Sequence, residues 1–158
     1  MELNAIQRAE ADLAQGHPAQ CMTFRLGGQS YAVDILMVQE IRRYTQPTSL
    51  PDVPRYLTGV INLRGAVVPV LDLRARFNLD APVDRLTVII VVAIRGRSVG
   101  LVVDEVTSVV KVAPDAIRPT PALSRNVDAS FIRGLIPTGD SLVTLLDVQL
   151  LVNDELGT

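Results

Sequence analysis

Two aspartates, Asp72 in VLDLRARF and Asp147 in LLDVQLLV, each close an apolar run and lie 75 residues apart. Two carboxylates brought together in apolar surroundings could share a proton and do acid–base chemistry, as in aspartic proteases. Their neighbours point elsewhere. The protease elbow needs Thr or Ser and then Gly after the acid, whereas Leu73-Arg74 and Val148-Gln149 follow here. An Asp ahead of a short helical pattern reads instead as an N-cap, accepting backbone N–H bonds for ~1 kcal/mol. An enzyme that uses Asp72 and Asp147 as its acids is kept as the remote alternative.

Other chemistry finds little equipment. His17 is the one histidine and precedes Pro18, outside the strand-like region, so a Ser-His-Asp or Cys-His arrangement has no base in the core. No Cys/His group has zinc spacing and no acidic run follows the EF-hand pattern, so neither catalytic residues nor a metal is expected. The glycines form no phosphate-binding string, and the Arg-Gly and Thr-Gly-Asp pairs suit hairpin turns. No cofactor is implied.

The net charge of −2 and pI near 5.3 give no global positive field, and aromatics make up 4% of residues, so a nucleic-acid partner is not expected. Cys21 is the only cysteine, which excludes an internal disulfide and suits a reducing compartment. The N-terminus lacks the basic and apolar regions of a secretory signal, and VIIVVAI (88–94) is far shorter than the ~20 residues of a membrane helix. A cytoplasmic protein without membrane insertion is expected.

What positions these residues is a β-rich chain. Residues 1–18 carry Ile6, Ala9 and Leu13 at near-helical spacing and read as a short helix or frayed tail. From Cys21 onward, short Val/Ile/Leu/Thr runs alternate with turn pairs. The chain of 158 residues is long enough for one real core, burying roughly 68–70% of its unfolded surface. It also repeats itself. YLTGVINLRGAVVPVLDLRAR (56–76) aligns without gaps to FIRGLIPTGDSLVTLLDVQLL (131–151) at an offset of 75, and GGQSYAV (27–33) echoes RGRSVGL (95–101) at an offset of 68. The seven additional residues fall in the Pro-rich segment APDAIRPTPALSRN (113–126). Two β lobes follow, roughly 21–80 and 81–150, within a domain over 19–152, with a C-terminal tail over 153–158.

Inside the first repeat, NLRG puts Arg64 on a bend flanked by apolar residues, and MVQEI puts Glu40 where pattern alone expects Val or Leu. Those two segments, with GVINLRGAVVPVLDLRARF, YAVDILMVQEIRRY and VGLVVDEVTSVVKV, resemble the CheW-like domain family of chemotaxis coupling proteins from about Cys21 to Leu151. The same domain also occurs in the kinase CheA and in CheV, and the absence of a further domain favours the stand-alone form. The resemblance implies an all-β fold with short helices: two intertwined five-stranded SH3-like barrel lobes.

It also implies a non-catalytic adaptor that couples the cytoplasmic hairpin tip of chemoreceptors to the CheW-like regulatory domain of CheA. A related twitching or surface-sensing pathway is the alternative within the family. Carried over by position, receptor binding involves Val38, Glu40, Gly59, Arg64 and Val109 at the lobe junction, taking an amphipathic receptor helix into a groove. Kinase binding involves Ile41 and Tyr44 in the first lobe and Arg118 and Leu123 in the second. Leu123 departs from the aromatic often found at its position, which removes ring area from that contact. Val38 and Val109 fit a Val-rich core as well as a contact, and Gly59, matched by Gly134, fits a turn or close approach common to both lobes. Glu40 and Arg64 are expected to pair.

Overall fold

The computed structural model describes residues 19–79, 81–119 and 131–152. Its first half runs β1 (Ala19–Leu26), β2 (Gln29–Asp34), β3 (Val38–Arg43), β4 (Leu57–Leu63) and β5 (Ala66–Asp72), closed by the one-turn helix α1 (Leu73–Arg76). The second half runs β6 (Val88–Ile94), β7 (Arg97–Val103), β8 (Glu105–Val112), β9 (Ile132–Thr138) and β10 (Ser141–Leu146), closed by α2 (Val148–Leu151). The all-β fold class with short helices is thus observed. The helix or tail expected over 1–18 and the tail over 153–158 lie outside the described residues.

The duplication is physical. β9 repeats β4 and α2 repeats α1 at the offset of 75, and β7 repeats β2 within a residue at the offset of 68. Even single hydrogen bonds recur: Asp72 N donates to Tyr56 O at 2.7 Å and Asp147 N to Phe131 O at 2.8 Å. Strands form where apolar β-branched residues alternate or run together, and they stop at two-residue turns. Arg64-Gly65 and Arg95-Gly96 both hold positive φ at each position, at 51°, 88°, 52° and 77° in order. That is the twist-matched geometry of tight hairpins, in which an arginine rather than the usual Asn or Asp fills the first position.

The halves do not fold side by side. One sheet orders its strands β8-β1-β2-β10-β9 and the other β3-β6-β7-β5-β4. Each sheet therefore takes the first two strands of one half and the last three of the other. Parallel pairing joins the halves, Tyr31 opposite Thr144 in one sheet and Val70 opposite Gly100 in the other. Among the described residues the compact units are accordingly 19–24, 29–37, 107–119 and 131–152, and 25–28, 38–79 and 81–106. A division near residue 80 does not describe them, because β2 feeds through the 3₁₀ turn Ile35–Met37 into a strand of the other sheet. Sequence similarity marks the repeat, whereas hydrogen-bonded pairing decides which strands share a sheet.

Each unit has its own apolar centre. Cys21, Ala32, Val112, Ile136, Val143 and Leu145 form one, and Leu63, Val68, Val70, Ile89, Val91 and Val102 the other. The run VIIVVAI is β6, an interior strand with Ile89, Ile90, Val91 and Val92 fully buried. Burial of each such side chain contributes about 1.5–3 kcal/mol, so β6 anchors its sheet.

Candidate functional site

The β4–β5 hairpin carries Arg64 at its turn. Arg64 Nη2 donates to Glu40 Oε2 at 2.7 Å, and Arg42 Nη1 lies 3.6 Å from Glu40 Oε1. Glu40 is on β3, and β3 and β4 are the two outer strands of their sheet. The expected ion pair therefore links the two outer strands of that sheet. Arg64 keeps 72% of its side chain exposed while Glu40 keeps 25%, so the acid is sheltered and the cation faces outward. Asn62 Oδ1 accepts from Gly65 N at 2.8 Å and braces the turn from within.

Strand geometry divides β3 into two faces. Val38, Glu40 and Arg42 are half-buried, whereas Gln39, Ile41 and Arg43 are exposed, the period-two pattern of a strand with one covered face. Ile41 is 44% exposed. Tyr44 follows the strand, packs against the apolar centre of its unit and donates its backbone N–H to Thr87 O at 3.3 Å. Val38, Glu40, Gly59, Arg64, Ile41 and Tyr44 all belong to one compact unit, and Val109 and Arg118 belong to the other. Val109 is 48% exposed on β8, so it is a surface valine rather than a core one. Arg118 is exposed in side chain, and its backbone exchanges two 2.8 Å hydrogen bonds with Leu135. Leu123 lies outside the described residues.

Gly59 has a local explanation. Thr48 and Val60 exchange hydrogen bonds of 2.8 and 2.9 Å, which lays the chain after β3 across β4. A Cβ on Gly59, at φ +147°, would lie 2.0 Å from Thr48 O. Gly134 meets Arg118 O and Ile117 in the same way, at 2.7 and 2.6 Å. A close approach common to both halves therefore requires these glycines.

The paired aspartates are caps. Asp72 Oδ1 accepts from Arg74 N at 2.9 Å, and Asp147 Oδ1 accepts from Leu150 N at 3.1 Å. Asp72 is further clamped by the Arg74 side chain, Nε to Oδ1 at 3.0 Å and Nη2 to Oδ2 at 3.1 Å. Neither carboxylate is arranged to trade a proton with a substrate. Arg74 itself went unnoticed in the sequence. It is 3% exposed, donates to Pro82 O at 2.9 Å and approaches Asp104 at 3.5 Å, while Asp104 Oδ2 accepts from Gly27 N at 2.9 Å. Burial works against the Arg74 charge, but the hydrogen bonds and attraction of Asp72 and Asp104 outweigh it and hold the guanidinium above its usual range. The available signal was the repeat, since the residue matching Arg74 is Gln149.

Among the described residues no group of three His, Cys, Asp or Glu side chains is placed to hold a metal, and no helix is long and apolar enough to cross a membrane. Two β sheets that each draw on both halves, aspartates spent as helix caps and a charged strand edge are the features of a non-catalytic scaffold. The chain belongs to the CheW-like domain family, whose model matches residues 20–156. It is 39% identical over 137 residues to a "Probable chemotaxis protein CheW" of Rhizobium etli, covering 85% of this chain and 88% of the relative. It is 38% identical over 135 residues to the chemotaxis protein CheW of Klebsiella aerogenes, covering 85% and 81%. The crystal structure of the scaffolding protein TtCheW from Thermoanaerobacter tengcongensis superposes with a TM-score of 0.76 at 32% identity, over 82% of this chain and 84% of that one. The chain is therefore a scaffolding and coupling adaptor of chemotaxis and not an enzyme.

Proposed function

We propose that the adaptor ties the cytoplasmic hairpin tip of chemoreceptors to the CheW-like regulatory domain of CheA, working in the cytoplasm and drawn to membrane-associated receptor arrays. The observation that carries this reading is the Glu40–Arg64 pair, a charge-bearing edge set among apolar strand residues. A sheltered carboxylate and an outward guanidinium give a passing helix one fixed acceptor and one fixed donor, and half-buried Val38 supplies apolar surface beside them. Val109, exposed on β8, is assigned to the same partner, and Gly59 holds the scaffold under it.

The kinase is assigned to Ile41 and Tyr44, with Arg118 and Leu123 forming its second contact. Ile41 lies on the opposite face of β3 from Glu40, which lets one strand serve two partners without overlap. The test is a pull-down with a receptor tip and the CheA regulatory domain, using wild type, Arg64→Glu and Ile41→Asp. Arg64→Glu should lose the receptor and keep the kinase, and Ile41→Asp the reverse. Capture of neither partner by wild type would overturn the assignment.

A further inference from the structure

A cleft of about 250 Å³ is lined by none of the residues assigned to receptor or kinase. Arg25, Pro82, Asp84, Leu86, Asp104 and Glu105 wall it. They come from the end of β1, the loop before β6 and the junction of β7 with β8, and all belong to one compact unit. The frame is fixed by hydrogen bonds. Buried Arg74 donates to Pro82 O at 2.9 Å, and Asp84 Oδ1 accepts from Leu86 N at 2.8 Å and from Thr87 N at 3.2 Å.

The charges in this cleft are not spent on each other. Among the described residues the half-buried Glu105 side chain has neither an ion pair nor a hydrogen bond, and nothing bonds to Asp84 Oδ2. Asp104 Oδ1 is buried without a hydrogen bond, 3.5 Å from Arg74 Nη1. Carboxylate oxygens that lose water and gain no donor cost free energy. Arg25 stands exposed and unpaired in the same cleft. With Asp72, which shares Arg74 with Asp104, four carboxylates meet two guanidiniums and leave a local charge of −2. That charge excludes an anion, and among the described residues no three acids are placed to hold a metal. The volume lies below the roughly 300–1,000 Å³ of small-molecule sites and suits a side chain.

We propose that the cleft docks a basic side chain of a protein partner, an arginine or lysine in a segment flanked by apolar residues. The stem lies along Pro82 and Leu86, which is 49% exposed, and the cationic head lies between Glu105 and Asp84. Lysine and arginine carry this same division, an apolar stem that packs and a charged head that stays at a polar rim. Val83, 48% exposed, extends the apolar surface beside Asp84, which a free amine cannot use and an apolar peptide flank can. Arg25 competes as a cation in the same cleft and keeps the contact weak. This surface is additional to those of the adaptor reading.

The test is an amide NMR titration of the full chain with capped pentapeptides Gly-Leu-X-Leu-Gly, in which X is arginine, glutamine or glutamate, and with putrescine as the free amine. The arginine peptide should move the amides of Gly28, Leu86 and Glu105 and bind at least about tenfold tighter than the glutamine peptide. The glutamate peptide should not bind, and putrescine should bind more weakly than the arginine peptide. Glu105→Gln should weaken the arginine peptide about tenfold, and Arg25→Ala should tighten it by up to about fivefold. Arg97→Ala, exposed on β7, should leave it unchanged and so separates the cleft from net charge. All three variants should melt with the wild type. Unmoved amides, a glutamine peptide or putrescine that binds as well, an unaffected Glu105→Gln, or weaker binding by Arg25→Ala would each overturn the proposal. Receptor and kinase capture by Glu105→Gln should match the wild type, so failure of this site and failure of the adaptor reading are read separately.

Discussion

Arg64 reaches Glu40 between the two outer strands of one sheet, Nη2 to Oε2 at 2.7 Å, and among the described residues the other sheet has no such pair. The matching positions are Gly139 and Ser108, and Ser108 Oγ instead joins a hydroxyl cluster with Thr23 Oγ1 at 3.0 Å. The fold therefore closes without the ion pair. An exposed pair contributes only about 0–1 kcal/mol, which leaves Arg64 available for recognition.

Replacement of Arg64 should separate stability from coupling. Arg64 sits at φ 51°, a conformation that costs a residue with a Cβ roughly 1–2 kcal/mol. Arg64→Gly should melt at or above wild type and Arg64→Glu close to it, while both lose receptor capture. A large fall in melting temperature for either would make Arg64 part of the scaffold.

Gly59→Ala should do the opposite. The added methyl would meet Thr48 O at 2.0 Å in a backbone region disfavoured for alanine, for a loss of about 2–3 kcal/mol in urea unfolding. Gly134→Ala should behave alike, since it meets Arg118 O and Ile117. An unchanged midpoint for both would show that the crossing segments simply move away.

Arg74→Met should destabilise by about 3 kcal/mol, because it leaves Asp72 and Asp104 facing each other's surroundings without the buried cation. Adding Asp104→Asn should recover part of that loss, a coupling read from a double-mutant cycle of unfolding free energies. Purely additive losses would refute the network.

The caps make a smaller prediction. Asp147→Ala should cost about 1 kcal/mol, and Asp147→Asn, which keeps the accepting oxygen, much less. Equal losses for both would mean that the negative charge, and not the cap, is what matters.

Alkaline pH should weaken the fold. Burial, reinforced by Asp34 and partly offset by Arg133, pushes the Cys21 thiol up to about 11, and burial also raises the Tyr31 hydroxyl. A group whose folded pKa is raised stabilises below its unfolded value, so this stability is present at neutral pH and drains away from pH about 9 to about 11. Urea midpoints followed over that range should fall, and Cys21→Ser should shallow the fall. A flat profile would contradict the buried thiol.

Much of the architecture was legible because it is written twice. A turn glycine, an apolar run and a capping aspartate in the same order mark β4, β5 and α1 and again β9, β10 and α2, since period-two patterning and tight turns are local rules. Glu40 and Arg64 stood out as charges that such patterning does not require. Arg74 did not, because an arginine two residues after an aspartate in a short helix reads as solvated, and only Asp104 and the Pro82 carbonyl, brought in from elsewhere, make it a buried cation.

The residue pattern by itself determined a β-rich chain built of two matched repeats and the two aspartate caps, all of which rest on short-range chemistry, while the count of five strands to each lobe came with the family resemblance. Only the tertiary structure decided which strands of each half share a sheet, that Gly59 admits the Thr48 backbone beside β4, and that β3 turns Glu40 and Ile41 to opposite faces. Those facts depend on which backbone groups pair across long separations. Two halves with nearly the same strands offer each strand two partners, and local pattern cannot choose between them.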